Sequence, residues 1–227
     1  EVRPQVGGII QKRLFTEGDM VKAGQALYQI DPSSYRAAWN EAAAALKQAQ
    51  ALVVSDCQKA QRYASLVRDN GVSRQDADDA ASACAQDKAS VESKKAALES
   101  ARINLNWTTV TAPIAGRIGI SSVTPGALVS ADQDTALATI RGLDTMYVDL
   151  TRSSVDLLRL RRQSLASNSD TLSVTLTLED GSTYPEKGRL ALTEVAVDES
   201  TGSVTLRAIF PNPQHVLLPG MFVRART

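Results

Sequence analysis

The stretch from residue 33 to residue 106 contains one glycine and no proline, and it is dense in Ala, Gln, Lys, Asp and Glu. A segment of that length with so few breakers has the composition of long α-helix. Its one strong interruption is Asp69-Asn70-Gly71, a helix-ending signal that turns the segment into a single antiparallel hairpin. Pro32 with Ser33 or Ser34 supplies the start of the first helix, which runs to about Arg68. Ser73-Arg74-Gln75-Asp76 has the form of a capping box and starts the second. At ~1.5 Å per residue, helices of about 33 to 36 residues reach ~50 Å.

Small and apolar residues recur at alternating spacings of three and four. The first helix offers Trp39, Ala42, Leu46, Ala49, Val53, Cys57, Ala60, Ala64 and Val67. The second offers Ala77, Ala80, Cys84, Val91, Leu98, Ala101 and Leu105. This is a coiled-coil seam, with a stutter between Ala49 and Cys57 that should locally unwind it. Folding at Asn70-Gly71 sets Ala49 against Val91, Ala42 against Leu98 and Cys57 against Cys84. The two cysteines can form a cross-helix disulfide in an oxidising compartment, or remain two free small hydrophobes; both readings stay open. Ala42 to Ala45 put small side chains on every face, which invites close lateral packing of hairpins through the outward Ala43 and Ala44.

The flanks have a different texture, β-branched and punctuated by glycine, and they resemble each other. Pro4-Gln5-Val6-Gly7-Gly8-Ile9 can be laid on Pro113-Ile114-Ala115-Gly116-Arg117-Ile118, matching Gly7 with Gly116 and Ile9 with Ile118. Further along, Gly18 matches Gly126, Val21 matches Val129, Leu27 matches Leu137 and Ile30 matches Ile140. Two half-motifs split by an insertion predict a pseudo-symmetric β-sandwich. The last third alternates as antiparallel strands do. A hairpin turns at Asp180-Gly181, a second pair straddles residues 199–202, a helix covers 153–166, and a loop runs from Pro211-Asn212-Pro213 to Pro219-Gly220. These elements predict a small β-barrel. The fold class is therefore α+β and elongated. A sandwich from 1–31 and 108–142 is split by the hairpin 32–107 and followed by a barrel over 143–227.

Several functions are disfavoured by what the chain carries. Lys plus Arg equals Asp plus Glu at 25 each, so the electrostatic footprint of a nucleic-acid binder is missing. Arg159, Arg161 and Arg162 read as the solvated side of a helix whose other face is Val155, Leu158 and Leu165. No apolar run approaches the roughly 18 residues of a membrane span. The single histidine, His215, sits in the Pro/Asn-rich loop, and no nucleophile elbow, phosphate cradle or clustered Cys/His zinc set accompanies it. His215 reads as a solvated loop residue, with pH sensing as the minority reading. No enzyme, cofactor or metal is expected.

The duplicated halves resemble a lipoyl or biotinyl carrier domain, but the tip where such a domain presents its lysine follows Ile30-Asp31 and is occupied by the hairpin. A sandwich so interrupted and followed by a barrel resembles the periplasmic adaptors, or membrane fusion proteins, of the AcrA/MexA type within the HlyD-like superfamily. The segments that carry the likeness are Arg3-Pro4-Gln5-Val6, Leu27-Tyr28-Gln29-Ile30-Asp31-Pro32 and Ala101-Arg102-Ile103-Asn104-Leu105. Gly202-Ser203-Val204-Thr205-Leu206-Arg207-Ala208 and Leu217-Leu218-Pro219-Gly220-Met221-Phe222-Val223 add to it.

This resemblance implies a six-membered, inner-membrane-anchored periplasmic adaptor joining a resistance-nodulation-division (RND) transporter to a TolC-like outer-membrane channel. Adaptors of ABC-type exporters share the architecture and are the alternative. The resemblance assigns channel contact to Arg62, Leu66 and Ser73, which stand at the family's spacing around the hairpin turn. It also implies a membrane-proximal domain built from both chain ends, expected to lie outside these residues. Two departures, Leu143-Asp144-Thr145 and Asp76-Ala77, bear on partner specificity.

Overall fold

The computed structural model describes residues 1–69, 71–153, 173–191 and 202–226. Asn70, the predicted helix over 153–166 beyond Ser153, with its arginine cluster, and residues 199–201 of the second hairpin lie outside them. In chain order the elements are β1 (Gly8–Arg13), β2 (Met20–Val21), β3 (Ala26–Ile30), α1 (Ser33–Arg68), α2 (Arg74–Trp107), β4 (Thr109–Thr111) and β5 (Gly116–Ile118). There follow β6 (Leu128–Val129), β7 (Ile140–Arg141), β8 (Thr145–Ser153), β9 (Ser173–Thr177), β10 (Gly188–Ala191), β11 (Ser203–Pro211) and β12 (Arg224–Arg226). Two compact units result: one from Glu1–Ile114 and Ile118–Ile140, the other from Ala115–Arg117 and Arg141–Thr227.

The first unit contains the duplicated sandwich, with strands in the order β4-β3-β1-β6. Its internal symmetry is visible in reciprocal hydrogen bonds. Gly18 N–H donates to Ile118 O (2.9 Å) and Gly126 N–H to Ile10 O (2.7 Å). Ile118 N–H donates to Asp19 O (3.0 Å) and Ile10 N–H to Ala127 O (2.9 Å). Each bond is its partner with the halves exchanged, so Ile10 is the counterpart of Ile118 and Gly8 that of Gly116. This shifts the sequence alignment there by one residue: Ile10 and Ile118 are each 1% exposed, whereas Ile9 is 50% exposed. Alternation of side chains across a strand leaves no tolerance for such a slip. Gly8 and Gly116 share φ +154°. A Cβ on Gly8 would meet Ile30 Cγ2 at 2.6 Å, and one on Gly116 would land on the Arg141 carbonyl.

The sandwich core gathers Ile10, Leu27, Tyr28, Ile30, Ile118 and Leu137. Tyr28 is fully buried, and its hydroxyl donates to Leu137 O at 3.0 Å and pairs with Ser121 Oγ at 2.7 Å, which satisfies the polar end of a large apolar side chain. The hairpin is rooted here. Tyr35 OH on α1 donates to Gly7 O (2.7 Å), and Ile30 N–H donates to Thr108 O (2.7 Å) just past α2. Helix α1 starts after Pro32, and the start is bonded by Asp31 rather than by either serine acting as cap. Asp31 Oδ1 accepts from Ser33 Oγ (2.6 Å) and Ser33 N–H (3.0 Å). These bonds, the hydroxyl's first, hold the Asp31 carboxyl below its ordinary pKa.

Along the seam Ala49, Ala80, Cys84 and Val91 are buried. Two details depart from the sequence reading. Beyond Cys57, Ala60 and Val67 are half-buried as the spacing predicts, but between them Tyr63 is half-buried and Ala64 exposed. Ala43 is half-buried and only Ala44 of that pair faces solvent.

The second unit is a five-stranded sheet of order β12-β9-β10-β11-β8 among the described residues. Strands β8 and β11 pair over nine residues, from Thr145 opposite Pro211 to Ser153 opposite Ser203. Val204, Leu206, Ala208 and Phe210 alternate into a core with Val174, Leu176, Tyr184, Leu190 and Leu217. Asp180-Gly181 turns as expected. Gly181 has φ +83°, and Asp180 Oδ1 accepts from Ser182 N–H (2.9 Å) and Ser182 Oγ (2.6 Å). Beyond β11 the Pro211-Asn212-Pro213 loop is organised by Asn212, which is fully buried. Its amide donates to Leu143 O (2.8 Å) and Leu217 O (2.9 Å), while Oδ1 accepts from Leu217 N–H (3.1 Å) and Tyr184 OH (3.2 Å). All four hydrogen-bonding positions of the side chain are used.

Candidate functional site

The hairpin tip is built by backbone bonds that converge on Leu66. Its carbonyl accepts from Gly71 N–H (2.8 Å) and from Asp69 N–H (3.2 Å), closing α1. The Leu66 side chain is nevertheless 41% exposed, an apolar group presented at the turn. Arg62 lies one helical turn earlier on the same face of α1 and is exposed. Ser73 opens α2 on the other side of the turn. Its hydroxyl accepts from Asp76 N–H (3.0 Å) and donates to Asp76 Oδ2 (2.6 Å). That is half of the expected capping box, because the Asp76 carboxylate goes to the hydroxyl and not to the Ser73 backbone. The geometry thus groups Arg62 with Leu66, while Ser73 bonds within its own helix start.

Cys57 and Cys84 are joined in a disulfide between α1 and α2, with Cα atoms 4.7 Å apart. His215 belongs to the second unit. It has φ +54°, and its Nε2 lies 3.2 Å from Asp144 Oδ1. Its backbone N–H donates to Asn212 O at 3.0 Å, so the residue is part of the loop that Asn212 organises. Among the described residues, no three His, Cys, Asp or Glu side chains are placed to hold a metal ion. No described helix is long and apolar enough to cross a membrane.

Two features escaped the sequence reading. Asn212 looked like a turn residue and is instead the buried centre of a loop. Asp87 is half-buried in the seam. The signal for it was there, since the apolar series of α2 jumps seven residues from Cys84 to Val91 and an Asp occupies the skipped slot.

A sandwich interrupted by a seam-packed hairpin and followed by a β-barrel-type sheet is the layout of a membrane fusion protein. The chain belongs to the RND membrane fusion protein family of AcrA/MexA type: residues 1–141 match the family's barrel-sandwich hybrid domain and residues 145–227 its β-barrel domain. It is 54% identical over 232 residues to the multidrug resistance protein MexA of Pseudomonas aeruginosa, covering all of this chain and 57% of that one. It is 53% identical over 231 residues to ArpA of Pseudomonas putida, an antibiotic efflux pump periplasmic linker protein, covering all of this chain and 58% of that one. The chain thus spans less than two thirds of the length of these curated relatives. Among solved structures, a MacA–MexA chimera carrying the Pseudomonas aeruginosa MexA α-hairpin matches with TM-score 0.59 and 30% identity, over 99% of this chain and 75% of that one.

Proposed function

We propose that this chain is the core of a periplasmic adaptor in a tripartite multidrug efflux pump, joining an inner-membrane RND transporter to a TolC-like outer-membrane channel. It acts as a structural coupler and not as an enzyme, with six copies assembled side by side and held at the inner membrane. The observation that carries this reading is the hairpin itself. It replaces the tip where a carrier domain would present its lysine, and it ends in an exposed leucine beside an exposed arginine. Arg62, Leu66 and Ser73 are the residues assigned to the channel. An oxidising periplasm suits the Cys57–Cys84 bridge, and both relatives described above are named for drug or antibiotic efflux or resistance.

The test places a photo-crosslinking residue at Arg62 or Ser73 of the full-length protein, which leaves the native cysteines undisturbed. A crosslink to the outer-membrane channel in cells, with restored drug resistance in an adaptor-deficient strain, is the expected result. Crosslinks confined to other proteins, with resistance restored, would overturn the tip assignment. Failure to restore resistance with any RND partner would overturn the adaptor reading.

A further inference from the structure

The Cys57–Cys84 bridge divides the hairpin into two parts with different support. At the root, Tyr35 OH donates to Gly7 O and Ile30 N–H to Thr108 O, so both helices are tied to the folded sandwich. Cys57 lies about 36 Å along α1 from Ser33, far from those ties. Beyond it, the described residues of 58–83 include one buried side chain, the methyl group of Ala80, and a methyl removes little apolar surface from water. Polar contacts do not make up the difference. Ser65 Oγ donates to Arg62 O within α1, Ser73 and Asp76 bond to each other at the start of α2, and Lys59 sits over Tyr63 within α1. Among the described residues no side-chain hydrogen bond or ion pair joins the two helices beyond the bridge. The distal arms are therefore held together by the turn at one end and by a covalent bond at the other.

That bond is within reach of a thiol. At this height the hairpin is two helices packed on each other, without the outer layer that shields a disulfide in a globular core. The two ends are unequal: Cys84 is 8% exposed, whereas Cys57 is only half-buried. In thiol–disulfide exchange, access helps decide which sulfur is attacked, and here it favours Cys57.

We propose that Cys57 is a thiol–disulfide exchange site, and that a dithiol acting there releases the distal hairpin. A thiolate of the dithiol attacks Cys57 Sγ and forms a mixed disulfide; the bond between the two cysteines breaks, and Cys84 leaves as a thiolate that takes up a proton. The second thiol of the dithiol, losing its proton, attacks the mixed disulfide and expels Cys57, which is protonated in turn. Two electrons pass to the bridge, and the dithiol ends as a disulfide. The oxidised form of such a dithiol closes the bridge by the reverse sequence. Reduction removes the covalent tie from residues 58–83 and leaves the root bonds in place. The consequence for channel contact at Arg62, Leu66 and Ser73, all distal to the bridge, rests on the adaptor reading; the exchange does not.

Two measurements on the oxidised full-length protein test this. Glutathione is added, the reaction is quenched with acid at low conversion, and peptides are mapped by mass spectrometry. The mixed disulfide should lie mainly on Cys57; an adduct no more frequent there than on Cys84 would overturn the site. Amide hydrogen exchange then compares the oxidised protein with wild type reduced by dithiothreitol and with Cys57→Ala/Cys84→Ala. Exchange within 58–83 should rise roughly tenfold or more in both, and it should respond little to dilute urea, as local opening does. Exchange that is unchanged on reduction, or that rises only with the full urea dependence of unfolding, would mark an ordinary structural bridge and refute the proposal. The reduced wild type does not depend on any variant folding. Both measurements read the hairpin alone, so their failure leaves the adaptor reading standing.

Discussion

Removing the cross-helix bridge gives the most quantitative test of how the hairpin is held. Cys57 and Cys84 are 27 residues apart, so the bridge closes a loop of that size in the unfolded chain. The chain-entropy relation gives ~12 cal/mol/K for such a loop, or ~3.5 kcal/mol at 25 °C. The seam has little to set against that loss, because its buried positions on α1 and α2 are Ala49, Ala80, Cys84 and Val91, and small side chains remove little apolar surface from water. Trp39 and Trp107 both lie in the first unit, so tryptophan fluorescence during urea unfolding reports on that unit. With a urea slope of about 2 kcal/mol/M, the reduced wild type and Cys57→Ala/Cys84→Ala should both unfold at a midpoint roughly 2 M below the oxidised protein. The slope itself should rise on reduction, since an uncrosslinked unfolded chain exposes more surface. Oxidised and reduced midpoints agreeing to within about 0.25 M, about 0.5 kcal/mol at that slope, would refute the reasoning, as would two free thiols in the unreduced protein.

Further substitutions probe the second unit and the hairpin surface. In Gly188→Ala the new Cβ would lie 2.5 Å from Cε2 of the fully buried Phe210 ring and closer still to Cε1 and Cζ. The unit should lose about 2–3 kcal/mol in a thermal or urea melt followed by circular dichroism, and adding Phe210→Leu should recover part of it. Asn212→Ala strands the buried carbonyls of Leu143 and Leu217 and the Leu217 N–H, so the same melts should show a loss of about 3 kcal/mol. His215 has φ +54°; His215→Gly should leave stability within about 0.5 kcal/mol of wild type while the β-branched His215→Val loses about 1–2 kcal/mol. Ala44 is exposed on α1, and Ala44→Glu should lower drug resistance in cells while the purified chain keeps its helical circular dichroism; unchanged resistance would argue against lateral packing of hairpins.

How legible these features were depended on whether their cause was local. Helix bounds at Ser33 and Arg68, and at Arg74 and Trp107, follow from breakers and caps that any short window contains. The seam partners on α2 were readable because apolar spacing is enforced along one helix. The exchange of Ala64 for Tyr63 was not, since it depends on how α1 packs against the opposite helix. The assignment of channel contact to the tip residues rests on the resemblance alone. An exposed Arg, Leu and Ser near a turn have no distinctive local physics, and the Ser73 hydroxyl is engaged in its own helix cap.

Taken alone, the sequence determined that a breaker-free stretch folds into two long helices and that its flanks are repeats, because propensity and periodicity act over a few residues at a time. Which residues of those repeats are equivalent was decided by tertiary structure. The exchange of bonds between Ile10, Ala127, Ile118 and Asp19 sets the register, and a one-residue slip would turn every side chain to the wrong face. The same holds for Asn212, buried in its loop, and for Asp87, half-buried in the seam. A polar side chain in a string of letters has no environment, and only the packed neighbours decide whether it is a solvated turn residue, the centre of a loop, or part of a helix seam.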